Sequence, residues 1–205
     1  REARRMGFDP VAVTVPANDR AHYYPGHNMV ITRLVADKQT HKVLGAQILG
    51  EGVVDKPLDI MVTAISLGAR VEDLAKLDLA YAPPFSSAMS TTIVTANVML
   101  NKLSGRFQGV DARQLKDALT SGKPPRLLDV RTEPEYQIAH IPGSTNIPLD
   151  ELKNRLHELD RDVETVVICK VGLRAYLASL ALRRAGFTRV KVLEGGMTAY
   201  PYETV

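Results

Sequence analysis

The chain has 205 residues, of which 45% are apolar and 24% charged, with a formal net charge of +3 and one cysteine. That length suits one large domain or two of about 100 residues each, and the composition is that of a soluble globular protein. Divided near Gly105, the halves carry 11 basic against 10 acidic residues and 15 against 13, which excludes the basic excess expected of a nucleic-acid partner.

The first ten residues read as the last turn of a helix, with Gly7 as its stop and Pro10 shortly after. An opening of this kind suggests a piece of a longer chain. Val11 to Val15 alternates apolar and small residues up to Pro16, a strand pattern. Met29–Val35 and Val43–Leu49 are apolar runs joined by a five-residue polar connection, which predicts an antiparallel hairpin. From Leu58 the period becomes helical through Ile60, Met61, Ala64, Ile65 and Leu67, with Gly68 as the stop. A short helix over Val71–Leu77 follows. Pro83-Pro84 forbids helix in the next stretch, and Ser86 or Ser87 is expected to cap a helix of about 15 residues ending near Leu103.

Ser104 to Gly109 reads as a linker. Beyond it strands and helices alternate. Asp111 caps a helix through Leu119, Arg126–Val130 is a strand, and Thr132 caps a helix with Glu133 and Pro134 in its first turn. Thr165–Ile168 is a buried strand, Arg174–Ala185 a helix stopped at Gly186, and Val190–Leu193 another strand. This alternation predicts a mainly parallel sheet with helices on both faces. The expected fold is therefore an α+β domain over residues 1–104, an antiparallel sheet plus helices, followed by an α/β domain over residues 105–205.

Between the strand ending at Ile168 and the helix near Arg174 lies Cys169-Lys170-Val171-Gly172-Leu173-Arg174. A loop at the C-terminal end of a parallel strand is where α/β sheets place ligands, and a tight turn there aims backbone N–H groups inward. A thiol in that ring is well placed to react as the thiolate. Gly172 allows backbone angles that a Cβ opposes, and Arg174 offers a cationic fork to an anionic sulfur donor. A lone free cysteine is more often a small core residue; its strand–loop–helix setting is what singles out Cys169.

Cys-x-x-Gly-x-Arg resembles the active loop of rhodanese sulfurtransferases. Leu127-Leu128-Asp129-Val130-Arg131 through Glu135-Tyr136 to His140-Ile141-Pro142-Gly143-Ser144, and Leu193-Glu194-Gly195-Gly196-Met197, agree with it in the right order. The resemblance implies that Cys169 takes a sulfane sulfur as a persulfide and passes it to a thiol or other acceptor. Phosphatases sharing this fold use a loop one residue longer and a His before the Cys; here four residues separate Cys169 from Arg174 and Ile168 precedes the Cys. The resemblance gives Asp129 and His140 structural roles. The other four His show no metal-ligand spacing, and a single cysteine excludes a multi-thiolate metal site, so no metal is expected. One thiol fits a reducing compartment, most simply the cytoplasm. No signal peptide and no membrane span of about 18 apolar residues is visible.

In the first hundred residues, His22-Tyr23-Tyr24-Pro25-Gly26 and Tyr81-Ala82-Pro83-Pro84-Phe85-Ser86-Ser87 resemble the C-terminal dimerisation domain of pyridine nucleotide-disulfide oxidoreductases. The coenzyme A disulfide reductases and NADH-dependent persulfide reductases are the most similar branch, some with a rhodanese domain next. The resemblance implies a homodimer in which Tyr23 and Tyr81 reach the partner's reductase site. FAD, NAD(P)H and coenzyme A are implied for a longer parent only, because the 205 residues contain no Gly-x-Gly-x-x-Gly and no second cysteine. Met89-Ser90-Thr91 departs from the Asp-Pro often found after the Pro-Pro motif. The alternative expectation is a non-catalytic dimerisation and persulfide-docking module.

Overall fold

Gly7, at φ +85°, ends the opening helix α1 (Glu2–Arg5) of the computed structural model. Arg1 lies outside the described residues, which run from 2 to 205. The chain separates into two units between Arg106 and Phe107.

In the first unit, β1 (Pro10–Asn18), β2 (Met29–Asp37) and β3 (Val43–Gly50) form an antiparallel sheet in the order β1-β2-β3. Pro16, expected to end its strand, lies inside it opposite Ile31. A proline is tolerated there because β1 is an edge strand, where a missing N–H need not interrupt a ladder. Helices α2 (Asp55–Ser66), α3 (Val71–Ala75) and α4 (Thr91–Leu103) follow. Val13, Leu34, Val43, Met61, Leu74, Ala96 and Met99 form their common core. Burying a side chain of this size contributes about 1.5–3 kcal/mol.

Two expectations need correction here. Leu67 does not join the apolar face of α2: the helix ends at Ser66 and Leu67 caps it with 81% of its surface exposed. The cap of α4 is Ser90, whose hydroxyl accepts the Ile93 N–H at 3.3 Å, and not Ser86 or Ser87. The irregular stretch after Pro83-Pro84 runs four residues further before a free N–H end meets a side-chain acceptor.

The second unit is a five-stranded parallel sheet in the order β4-β8-β7-β5-β6. Its strands are β4 (Gly109–Val110), β5 (Arg126–Asp129), β6 (Thr145–Asn146), β7 (Thr165–Ile168) and β8 (Val190–Leu193). Helices α5 (Ala112–Leu119), α6 (Glu133–Ile138), α7 (Leu149–Leu152) and α8 (Leu173–Arg184) connect them. All four residues of β7 are buried at the sheet centre. On α8 the buried positions are Ala175, Ala178, Ser179 and Leu182, the stripe that a helix lays on a sheet. No helix among the described residues is long and apolar enough to cross a membrane.

Candidate active site

Strand order brings the three sequence motifs of the second unit together. Asp129 at the end of β5 lies beside Ile168 at the end of β7, and Val167 pairs with Val192 of β8. The chain leaving each strand therefore emerges at one edge of the sheet, with Cys169 in the middle. Cys169 is 1% exposed. The Gly172 N–H donates to its Sγ at 3.1 Å. Gly172 has φ +118°, which a residue with a Cβ would adopt only under strain, and it leads directly into α8. The sulfur thus lies at the N-terminal, positive end of a twelve-residue helix.

The loop's carbonyl groups face the other flank. The Met197 N–H donates to the Cys169 carbonyl at 2.9 Å, and the Thr198 N–H and hydroxyl donate to that of Lys170 at 3.0 and 2.9 Å. Gly196 makes this approach possible. A Cβ there would lie 2.6 Å from the Lys170 carbonyl oxygen and nearer still to that of Cys169. The third motif is thus the seat of the loop.

The second motif supplies the opposite wall. Arg131 is closed on Asp129 through Nε and Nη2, at 2.7 to 3.0 Å, and both are buried. Its remaining donors hold the carbonyls of Glu135 and Ala139. His140 stacks on Tyr136 at 3.8 Å and contacts the Tyr136 carbonyl through Nδ1. Asp129 and His140 are engaged in holding the wall.

Arg174 lies at the far end of the loop, and its terminal nitrogens are engaged within the chain. Nη1 and Nη2 donate to the two carboxylate oxygens of Glu135, each at 2.7 Å. Glu135 is also the third residue of α6, and Oε2 accepts the N–H and hydroxyl of the capping Thr132 at 3.1 and 2.9 Å. The Arg174 guanidinium holds its carboxyl down at about 2, against the opposing push of burial and with help from Thr132. Glu135 was not singled out from sequence, although Thr132-x-x-Glu135 is a capping-box pattern. Around the loop, Lys170 and Leu173 are exposed, and Val171 is half-buried.

In the first unit, Tyr23 and Tyr81 come together across 58 residues of chain, with their hydroxyl oxygens 3.4 Å apart. The Tyr23 hydroxyl raises the Tyr81 phenol above its usual range, as does burial. Tyr23 rides on the loop between β1 and β2, which Asp19 pins. Asp19 is buried and accepts the Asn28 and Val53 N–H groups at 3.0 and 3.1 Å and two donors of Arg20. Asp19 too escaped sequence reading, since its second partner is 34 residues away. Among the described residues no cluster of His, Cys, Asp or Glu could hold a metal ion.

The chain matches two family profiles: the pyridine nucleotide-disulphide oxidoreductase dimerisation domain over residues 1–93, and the rhodanese-like domain over residues 111–201. A NAD-dependent persulfide reductase from A. fulgidus is similar in structure, with 42% identity, a TM-score of 0.87, and coverage of 98% of this chain and 35% of its own. The reduced Bacillus anthracis CoADR-RHD is similar at 36% identity and a TM-score of 0.89, over 97% of this chain and 35% of its own. A curated relative, the NAD(P)H sulfur oxidoreductase (CoA-dependent) of Pyrococcus furiosus, is 35% identical over 98 residues. That match covers 48% of this chain and 22% of the relative, so the chain spans only a minor part of such proteins. Residues 1–93 belong to the pyridine nucleotide-disulphide oxidoreductase dimerisation family and residues 111–201 to the rhodanese-like family, joined in one chain.

Proposed function

We propose that the second unit is a sulfurtransferase whose nucleophile is Cys169. The observation that carries this reading is the closed loop at the end of β7, in which the Gly172 N–H donates to Sγ at the head of α8. A thiolate there is stabilised by that donor and by the helix end. Cys169 attacks the outer sulfur of a small donor, an S–S bond forms, and the donor's remainder leaves with the electron pair. The persulfide then gives its outer sulfur to an acceptor thiol. Lys170, Val171, Gly172, Leu173 and Arg174 form the substrate loop: Gly172 sets its turn, Lys170 contributes an exposed cation, and Arg174 anchors its far end on Glu135. With Cys169 only 1% exposed, sulfur must arrive on a narrow terminal atom.

The first unit forms a homodimer in this reading. Its exposed Tyr23, Leu67, Phe85 and Met89 are apolar surface of the kind that protein partners cover. The Tyr23–Tyr81 pair then serves a reductase site across that dimer, beside a persulfide or coenzyme A thiol. FAD and NAD(P)H would be held by parts of a longer protein. The residues present do not fit them, because the first sheet is antiparallel and no glycine fingerprint precedes any helix.

Cysteine 169 is tested directly by offering thiosulfate or a thiol persulfide with cyanide or a thiol as acceptor. Cys169→Ser is expected to lose transfer entirely, and transfer at the parent rate would overturn the mechanism. The burial of Cys169 favours a second reading, docking of a persulfidated partner without transfer. Mass spectrometry after donor treatment separates them: one added sulfur on the Cys169 peptide supports catalysis, and a bare thiol under saturating donor supports docking.

A further inference from the structure

Both arginines around the Cys169 loop are closed on carboxylates. Arg131 is held by Asp129, and Nη1 and Nη2 of Arg174 by Glu135. Glu135 is fixed independently of Arg174: Thr132 grips its carboxylate, and Arg131 donates to its backbone carbonyl at 3.1 Å. Releasing Arg174 toward a substrate would therefore strip a charged partner from a site prepared to keep it. Of the loop's own cations only Lys170 stays open, and it is solvent-exposed.

The rim beside this pair is apolar. Leu173, next to Arg174, is 65% exposed, and Leu177 one turn along α8 is also exposed. Ile138, one turn beyond Glu135 on α6, is 83% exposed. The Glu135–Arg174 bond joins the starts of α6 and α8, and on each helix an exposed apolar side chain lies next to the pair or one turn beyond it. A carbon skeleton can be covered there, whereas a compact inorganic dianion gains nothing from it.

We propose that Glu135 is a specificity-determining residue: by closing the Arg174 guanidinium it makes the Cys169 loop select persulfides of organic thiols over thiosulfate as sulfur donor. This rests on the reading of Cys169 as the sulfur carrier. With a hydropersulfide RS–SH, the Cys169 thiolate attacks the outer sulfur, the new S–S bond forms and the RS–S bond breaks. RS⁻ leaves with the electron pair, and the proton stays on the transferred sulfur, giving Cys169–S–SH. No charge enters with the donor, and the charge of the thiolate leaves on RS⁻. With thiosulfate, the same attack expels sulfite and brings a dianion against the thiolate. Beyond the exposed Lys170, that approach would gain from a second open cation at the loop, and Glu135 withholds the one that Arg174 would offer.

The test measures the rate of sulfur loading onto Cys169 of the full chain by mass spectrometry. N-acetylcysteamine persulfide serves as an organic donor whose carbon skeleton carries no charge, and thiosulfate as the dianion. The parent is expected to load faster from the persulfide. In Glu135→Gln the thiosulfate-to-persulfide ratio should rise about tenfold, the order expected when one unit charge is uncovered at a partly exposed site. Glu135→Asp, which keeps the charge, should stay near the parent ratio. Added salt should erase the gain in Glu135→Gln and leave thiosulfate loading of the parent nearly flat. A ratio in folded Glu135→Gln within about twofold of the parent's overturns the proposal. If that variant does not fold, the parent decides: preference for thiosulfate, or loading that falls steeply with salt, overturns it equally. Failure of the Cys169 reading looks different, since no donor would then leave sulfur on Cys169 at all.

Discussion

Glu135 is held from two directions, by its own helix cap and by the Arg174 fork, and the pH dependence of stability should report both. Its carboxyl lies at about 2 in the folded chain against an ordinary 4.5. A carboxyl depressed by folding stabilises fully above the unfolded value and loses that contribution as pH falls through the folded one. The stability difference between parent and Glu135→Gln should therefore be constant from pH 7 to near 4.5 and shrink between 4.5 and 2. Urea titrations of both proteins at several pH values check this, and a difference that grows on acidification would contradict it. Because the pair is about one-third exposed, the effect is modest. Cys169 was legible at this scale because it is the chain's one cysteine and opens a short glycine-containing loop. The bond of Arg174 to Glu135 was not, because an ion pair across 39 residues leaves no local pattern. Asp19 is the same case, with its acceptors filled by loops that only the fold brings near.

Among the elements, α4 offers the sharpest check on capping. Ser90→Ala removes the acceptor of the Ile93 N–H and should cost the first unit about 1 kcal/mol, while Ser87→Ala should cost much less. Thermal unfolding of the two variants against the parent measures it; equal losses would mean that the cap is elsewhere. Cap and stop residues located α5 and α8 to within a residue or two, and the helical period located α2 but carried it one residue too far, to Leu67. Periodicity missed β6 and α7, since a two-residue strand and a four-residue helix have no period to read. The seat formed by Gly196 was legible only as a motif; its reason, an approach to the Cys169 and Lys170 carbonyls that no Cβ would permit, is a property of the neighbouring strands.

For the whole molecule, the division into an antiparallel and a parallel unit follows from where strands stop running in succession and begin alternating with helices. The order β4-β8-β7-β5-β6 does not follow, because alternation fixes neither which crossover goes inward nor where it lands. A chain joining a dimerisation domain to a rhodanese-like domain should sediment at twice its own mass at micromolar concentration. Charging the apolar surface with Phe85→Asp should shift it toward the monomer without changing sulfur loading on Cys169. A monomeric parent across that range would place the first unit's exposed apolar residues in some other contact.

The fastening of the active loop has a consequence for time as well as shape. The amide protons of Met197 and Thr198 are held by the Cys169 and Lys170 carbonyls and can exchange with solvent deuterium only when the loop lifts from its seat. Those two amides are a clock for loop opening. If sulfur on Cys169 tightens the loop, their exchange slows before any change can be seen in the strands.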